Sequence, residues 1–112
     1  MDVSASALTA FGVSQAVTAH DVANMNTPGF RGRQVVLESG PADQGVRVAE
    51  IREDPSAGPL VPGRDGAVEE GSNVDLAQEI PQMMVDEMAY RANAAVIRTE
   101  DAMVGALLDM MA

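Results

Sequence analysis

The segment MMVDEMAYRANAAVIRTEDAMVGALLDMM, residues 83–111, decides the fold. At about 100° per residue on a helical wheel, its apolar side chains fall on two opposed stripes. The first stripe consists of Met84, Met88, Ala92, Ala95, Ala102, Met103, Ala106 and Met110. The second stripe follows a four-three spacing and consists of Tyr90, Ala94, Ile97, Asp101, Val104, Leu108 and Met111. One stripe is enough to dock a helix on a core, so two stripes predict a helix packed between neighbours in an assembly.

The charge balance limits the partners that the chain can have. Its 112 residues carry 17 acidic side chains against 7 basic ones, all of them arginine, for a formal net charge of -10. A nucleic-acid partner needs a basic footprint, and an anionic membrane surface attracts clusters of basic residues. We therefore expect no nucleic-acid binding and no membrane insertion, and the acidity is typical of a soluble, self-repelling surface.

Other classes are limited by what the composition lacks. The chain has no cysteine, which excludes disulfides and thiolate metal sites. No run approaches the roughly 20 apolar residues of a membrane span. The first residues have neither a basic region nor a leucine-rich core, so we expect no cleavable secretory signal.

An N-terminal helix is predicted over residues 4–26. Ser4 or Ser6 is a candidate N-cap, and Thr27 before Pro28 favours a helix end at residue 26. The predicted contact stripe of this helix consists of Leu8, Phe11, Gln15, Thr18, Val22 and Met25. Gly12 and three valines lower its intrinsic propensity, so we expect it to need a partner helix.

The middle of the chain, residues 31–72, is predicted to be extended or β-rich. Residues 34–37 and 46–51 have the composition of short strands, and residues 40–45 read as a turn or hairpin loop between them. Three prolines and four glycines lie between residues 54 and 71, so a flexible loop without regular structure is expected there.

A C-terminal helix is predicted over residues 75–111, capped by Asn73 or Asp75. Pro81 lies inside this range, so a kink or a fresh helix start is expected near it. The predicted fold is mainly α and forms one domain over residues 1–112. Its N- and C-terminal long helices pair as a coiled-coil-like domain, with a small β-hairpin or irregular middle segment.

Signs of catalysis are absent from the sequence. His20 is the only histidine and is expected to be a surface or interface residue. The glycines form no phosphate-binding loop, and the serines have no recognisable base partner. We therefore expect no enzyme activity, no catalytic residue, no cofactor and no metal.

Two segments carry a resemblance to a known family. The stretch Ala23-Asn24-Met25-Asn26-Thr27-Pro28-Gly29-Phe30-Arg31 resembles the signature that ends the N-terminal helix of bacterial flagellar rod and hook proteins. Near the other end, the segments 72–76 and 90–103 resemble the family's C-terminal signature, with its "NVD" start and its "TxDxM" end. The middle, at residues 45–48 and 54–56, is similar to the short middle of the C-type proximal rod proteins.

The resemblance implies an axial structural subunit of the flagellar basal-body rod. Such subunits are exported through the flagellar type III apparatus without a cleaved signal and stack in the periplasm, where terminal helices interlock and transmit torque. The implied partners are other rod subunits and the export apparatus, with a homo-oligomer or a swapped dimer in isolation. The expected assembly interface consists of Leu8, Phe11, Val22, Met25, Asn26, Pro28, Gly29, Phe30, Tyr90, Asn93, Ala94, Ile97, Val104, Leu108 and Met111. Leu8, Phe11, Val22 and Met25 are expected to meet one C-terminal stripe inside the subunit.

A second function class stays open at this point. An acidic helical-hairpin adaptor or a flagellar export chaperone also suits an acidic chain whose helix has two apolar faces. The two terminal signatures favour the rod subunit, because a chaperone has no reason to carry them.

Overall fold

A computed structural model describes residues 2–41, 44–63 and 66–111. Two helices flank four short strands, which makes the fold mainly α with a small β-hairpin region, as predicted. In chain order the elements are α1 Asp2–Ala23, β1 Arg33–Ser39, β2 Val46–Glu53, β3 Leu60–Pro62, β4 Val68–Glu70 and α2 Leu76–Met111.

The two helices pack against each other in antiparallel orientation. The Ser14 hydroxyl of α1 reaches Asp86 of α2 at 2.7 Å, and Gly12, nearer the start of α1, lies beside the Tyr90 ring, further along α2. The most buried positions of α1 repeat at three- and four-residue intervals, as coiled-coil contacts do. They are Ser4, Ala7, Ala10, Ser14, Thr18 and Asp21.

This buried stripe corrects the predicted contact face of α1. Leu8, Phe11 and Val22 are only half-buried, and Met25 is exposed. The prediction placed the apolar side chains of α1 against α2. In the structure, small and polar side chains of α1 face α2 instead. Small side chains allow two helix backbones to approach closely, so size rather than hydrophobicity selects this face.

α1 also begins earlier than predicted. The helix is already formed at Asp2 and ends at Ala23, so Ser4 and Ser6 lie within its first two turns and cap nothing. The Ser6 hydroxyl instead donates to the Val3 carbonyl at 2.7 Å and accepts the Val46 amide of β2 at 3.2 Å. A serine expected to start the helix therefore joins it to the hairpin.

β1 and β2 form the predicted antiparallel hairpin, and both strands extend beyond their predicted ends. The register runs from Arg33 opposite Glu53 to Ser39 opposite Val46, with an irregularity between Val36 and Leu37. The turn was predicted at residues 40–45, of which 42 and 43 lie outside the described residues. Gly45 closes it with a φ of 78°, a conformation that favours glycine.

The segment 54–71 contains a second hairpin, where a loop without regular structure was predicted. β3 pairs with β4 from Leu60 opposite Glu70 to Pro62 opposite Val68. Pro62 forms the last pair of its strand, a position where a proline is tolerated, and Gly66 takes a φ of 77° in the connection. The prediction was wrong because it treated every proline and glycine as a breaker.

α2 is one uninterrupted helix, so of the two alternatives predicted at Pro81, a kink or a fresh start, the fresh start is wrong. Asp75 caps it, since its Oδ1 accepts the Ala77 amide at 3.0 Å. Pro81 removes a single N–H and lies near the beginning of α2, and the helix continues through it.

α2 is longer than α1, and the difference shapes the molecule. At about 1.5 Å per residue, α2 spans roughly 54 Å and α1 roughly 33 Å. The molecule measures 75 × 25 × 18 Å, and its radius of gyration is 19.7 Å. A compact chain of this length would have a radius of gyration of about 13 Å. Neither helix, over the residues that the structure describes, combines the length and hydropathy of a membrane span.

Candidate assembly site

The last eleven described residues of α2 extend past Asp2, the first residue of α1. Every residue from 101 to 111 is exposed, and we call this segment the overhang. Among its side chains Leu108 is 62% exposed and Met111 is 83% exposed. The overhang also exposes Met103, Val104, Leu107 and Met110. Clusters of exposed apolar side chains of this kind are typical of surfaces that contact other proteins.

The two predicted stripes of α2 have different surroundings in the structure. Ala94 and Ile97 of the second stripe are half-buried, and Tyr90 lies against Gly12 of α1. Met84 and Met88 of the first stripe are exposed on the side away from this contact. The second stripe therefore has two environments. It lies beside α1 at its start and is exposed in the overhang at Val104, Leu108 and Met111.

Asn93 was expected to belong to the assembly interface. Its Nδ2 donates to the Ala89 carbonyl at 2.8 Å, one turn back in α2. The bond is local, so within this chain Asn93 makes no link between elements through it.

The turn after α1 is held by its own side chains. The Asn24 amide donates to the His20 carbonyl at 2.8 Å and accepts the Thr27 hydroxyl at 3.1 Å. Asn26, Pro28 and Gly29 are exposed, and Gly29 has a φ of 73°. Phe30 is half-buried, and its ring centroid lies 5.5 Å from that of His20. This geometry orients the chain as it leaves α1.

Asn73 joins the two terminal signatures, a role that sequence reasoning missed. Its Oδ1 accepts the Gly32 amide at 2.6 Å, and its backbone amide donates to the Phe30 carbonyl at 3.1 Å. Its Nδ2 donates to the carbonyls of Asp54 at 3.0 Å and Ser56 at 2.8 Å. The sequence did contain one sign of this role, because Asn73 lies in the stretch that resembles the C-terminal signature of the family. Its preference for helix N-caps predicted instead that it caps the start of α2.

Arg31 holds the same segment from another side. Its guanidinium donates to the carbonyls of Pro55 and Ser56 and forms an ion pair with Glu70 of β4 at 2.9 Å. The Asp54 carboxyl turns this segment by accepting the Ser56 hydroxyl at 2.7 Å and the Ser56 amide at 2.9 Å. These hydrogen bonds lower the pKa of the Asp54 carboxyl. Arg31 and Asn73 thus fix the chain between the two hairpins.

A polar layer lies in the contact between the helices. Asp86 is 1% exposed and accepts the Ser14 hydroxyl at 2.7 Å and the Gln82 amide at 3.0 Å. A buried carboxylate with matched donors fixes one register of a helix pair, because a slip would leave it unpaired.

A second buried carboxyl lies where α1, β1 and α2 meet. Asp21 is fully buried, and its Oδ2 accepts the Arg33 amide at 3.0 Å. Burial raises the pKa of Asp21, although the Arg33 amide and the charges of His20 and Arg33 act in the opposite direction. Burial also raises the pKa of Glu79, and the negative charges of Asp21 and Asp75 add to this effect.

A polar groove lies between the helices and the hairpin. A groove of about 370 Å³ runs between α1, β1 and α2 and is lined mainly by polar side chains, among them Thr18, Arg33 and Glu79. Within the described ranges, no group of three or more metal-ligating side chains converges. The arrangement suits packing and hydrogen bonding between elements.

Both ends of the chain match known protein families. Residues 1–31 match the family described as "Flagella basal body rod protein". Residues 64–110 match the family described as "Flagellar basal body rod FlgEFG protein C-terminal". No individual curated protein matches the chain. The chain belongs to the flagellar basal-body rod protein family.

Family membership fixes the role at a coarse level. The chain is a structural component of the rod, it is located at the flagellar basal body, and it interacts with other basal-body components. The matched segments contain α1 with its following turn, and the β4–α2 region with Asn73. These are the parts that the Asn73 hydrogen bonds bring together.

Proposed function

We propose that the chain builds the rod by interlocking its terminal helices with those of adjacent subunits. α1 and the first two thirds of α2 form the subunit's own helix pair, and the overhang packs against a neighbour. The observation that carries this proposal is the continuous exposure of the overhang, in which no described residue is covered by the chain itself.

The predicted interface residues divide between these two contacts. Tyr90, Ala94 and Ile97 would serve the contact inside the subunit, and the half-buried Leu8 and Phe11 would flank it. Met25, Val104, Leu108 and Met111 are exposed and would face neighbours. Val22, Asn26, Pro28, Gly29, Phe30 and Asn93 would shape or flank the contacts.

Burial of the overhang would supply much of the assembly energy. Fully burying one Val, Leu or Met side chain contributes about 1.5–3 kcal/mol. The contribution repeats at every subunit of a helical lattice. Many small contacts of this kind would let a filament transmit torque without one dominant site.

The proposal also includes the position of the subunit in the rod and its route of export. We place the subunit in the periplasmic part of the rod, exported by the type III apparatus without a cleaved signal, and closest to the C-type proximal position. We also propose that it has no enzyme activity. The family matches support the rod over the adaptor or chaperone alternative, because both matched families are named for the rod itself.

Leu108→Asp tests the proposal. Leu108 is 62% exposed in the isolated chain, so we expect the variant to unfold at the same denaturant concentration as the wild-type chain. We expect it to be lost from purified basal bodies, because a carboxylate would be buried in the contact between subunits. The measurement is its amount in basal bodies from cells that lack the wild-type chain.

Leu108→Met is the matched control, because it keeps an apolar side chain of similar volume and should assemble. Normal incorporation of Leu108→Asp would refute the overhang contact. Ile97→Asp should differ in its effect on stability. Because Ile97 is half-buried beside α1, this variant should lower both the stability of the chain and its assembly.

A further inference from the structure

Asp21 has a hydrogen-bonding deficit that its surroundings do not explain. Its side chain is fully buried, and its Oδ2 accepts the Arg33 amide. Its Oδ1 has no hydrogen-bond partner among the residues that the structure describes. An ionised carboxylate in that position would leave a buried charge incompletely solvated, which is costly. A protonated carboxyl removes the charge.

Glu79 is the second acid at this junction. It lies near the beginning of α2 and lines the polar groove together with Arg33 of β1 and Thr18 of α1. The Asp21 charge acts on it across the junction. Two carboxylates on facing helices repel each other when both are ionised, and one proton removes the repulsion.

The other charged groups at the junction only partly compensate. α1 contributes His20 beside Asp21, β1 contributes Arg33, and the start of α2 contributes Asp75. Asp86, further along α2, is already occupied by Ser14 and Gln82. For both Asp21 and Glu79, burial is the largest influence on the pKa and it favours the neutral form.

We propose that Asp21 and Glu79 form a coupled carboxyl pair that holds a proton where α1, β1 and α2 meet. When this pair ionises, the junction loosens. The pair therefore acts as a proton-dependent latch on the base of the helix pair, on the side away from the overhang. The latch is a property of the single chain and does not depend on how subunits assemble.

The sign of the pH dependence follows from linkage. An acid whose pKa is higher in the folded than in the unfolded chain binds more protons when folded. Its contribution to stability is complete below the unfolded values of 3.8 for Asp21 and 4.5 for Glu79. The contribution is lost as the pH rises through the raised folded pKa values. Asp54 has a lowered pKa and acts in the opposite direction.

Carboxyl carbon NMR of the full chain tests the pair directly. We expect Asp21 and Glu79 to titrate above the usual range and Asp54 below it. In Glu79→Gln, the midpoint of Asp21 should move down, because a neighbouring negative charge is removed. Ordinary midpoints for both acids, or an Asp21 midpoint that does not respond to Glu79→Gln, would overturn the proposal.

Stability measurements test the latch. Relative to the wild-type chain, Glu79→Gln and Asp21→Asn should be more stabilising at about pH 7.5 than at about pH 4.5. The double variant should gain less than the sum of the two, since either change relieves the same repulsion. Hydrogen-exchange protection of the Arg33 amide reports on the junction itself and should rise in Glu79→Gln at the higher pH.

Glu87→Gln is the control, because Glu87 lies on α2 but is exposed and pairs locally with Arg91. It should show the same difference from wild type at both pH values. Stability differences for Asp21→Asn and Glu79→Gln that do not depend on pH would show that ionisation at this junction does not affect the fold.

Discussion

A single side chain, the Asn73 amide, links three backbone segments. It accepts the amide after Arg31 and donates to two carbonyls in the turn between the hairpins. No other residue type offers one acceptor and two donors on so short a stem. The spatial relation between the end of α1 and the start of α2 therefore depends on this residue.

Asn73→Ala should destabilise the chain by about 2–3 kcal/mol. The variant loses three side-chain hydrogen bonds, each of which contributes about 0.5–1.5 kcal/mol net. Chemical denaturation followed by circular dichroism measures this difference.

Asn93→Ala is the matched control. Its amide bonds only the Ala89 carbonyl of its own helix, and alanine is the better helix former, so the change should stay within about 0.5 kcal/mol. An equal effect of the two substitutions would contradict the assigned role of Asn73.

At the scale of the elements, the contact between α1 and α2 leaves space at Gly12. A methyl group added there would lie 3.8 Å from the Tyr90 ring, an ordinary van der Waals distance. Glycine lowers helix stability by about 0.8–1 kcal/mol relative to alanine. Gly12→Ala should therefore raise the thermal midpoint of the chain.

Gly105→Ala is the control that separates the effect of helix propensity from the effect of packing between α1 and α2. Gly105 lies in the overhang, and a methyl group there meets open space. The substitution should increase helix content at the end of α2 and leave the stability of the α1–α2 pair unchanged. A lower thermal midpoint for Gly12→Ala would show that the added methyl group keeps the two helices from packing as closely as they do with glycine.

The sequence predicted the elements better than their contacts. Strand-like composition and turn signals located β1 and β2, and the two stripes of α2 correctly identified a long helix with more apolar surface than one partner covers. Thr18 belongs to both the predicted stripe and the buried one, but Ser14 escaped because a serine carries no hydrophobic signal. The role of Asn73 escaped because its partners lie 17 to 41 residues away in the chain.

At the scale of the whole molecule, very little apolar surface is buried inside the chain. Among the described residues, Ala7 and Ala10 are the only buried hydrophobic ones, and the exposed apolar residues extend along both helices and the hairpins. A chain that buries so little should be weakly stable alone, because burial provides most of the driving force for folding. Neighbouring subunits would complete the core.

We therefore expect the isolated terminal helices to be partly disordered, or paired between two chains in a swapped dimer. Hydrogen exchange over residues 2–20 and 95–111 should show weak protection in dilute solution and stronger protection as the concentration rises. Strong protection of both ends in a dilute monomer would contradict this expectation.

The antiparallel register has one more consequence, because it places the overhang at one end of the long axis only. If the overhang packs against a neighbouring subunit as proposed, the two unlike ends would make repeated addition build a directional polymer. Such a polymer presents overhangs at one tip and the covering surface at the other. Under this proposal, the component that starts the polymer and the component that stops it would recognise different faces of the same chain.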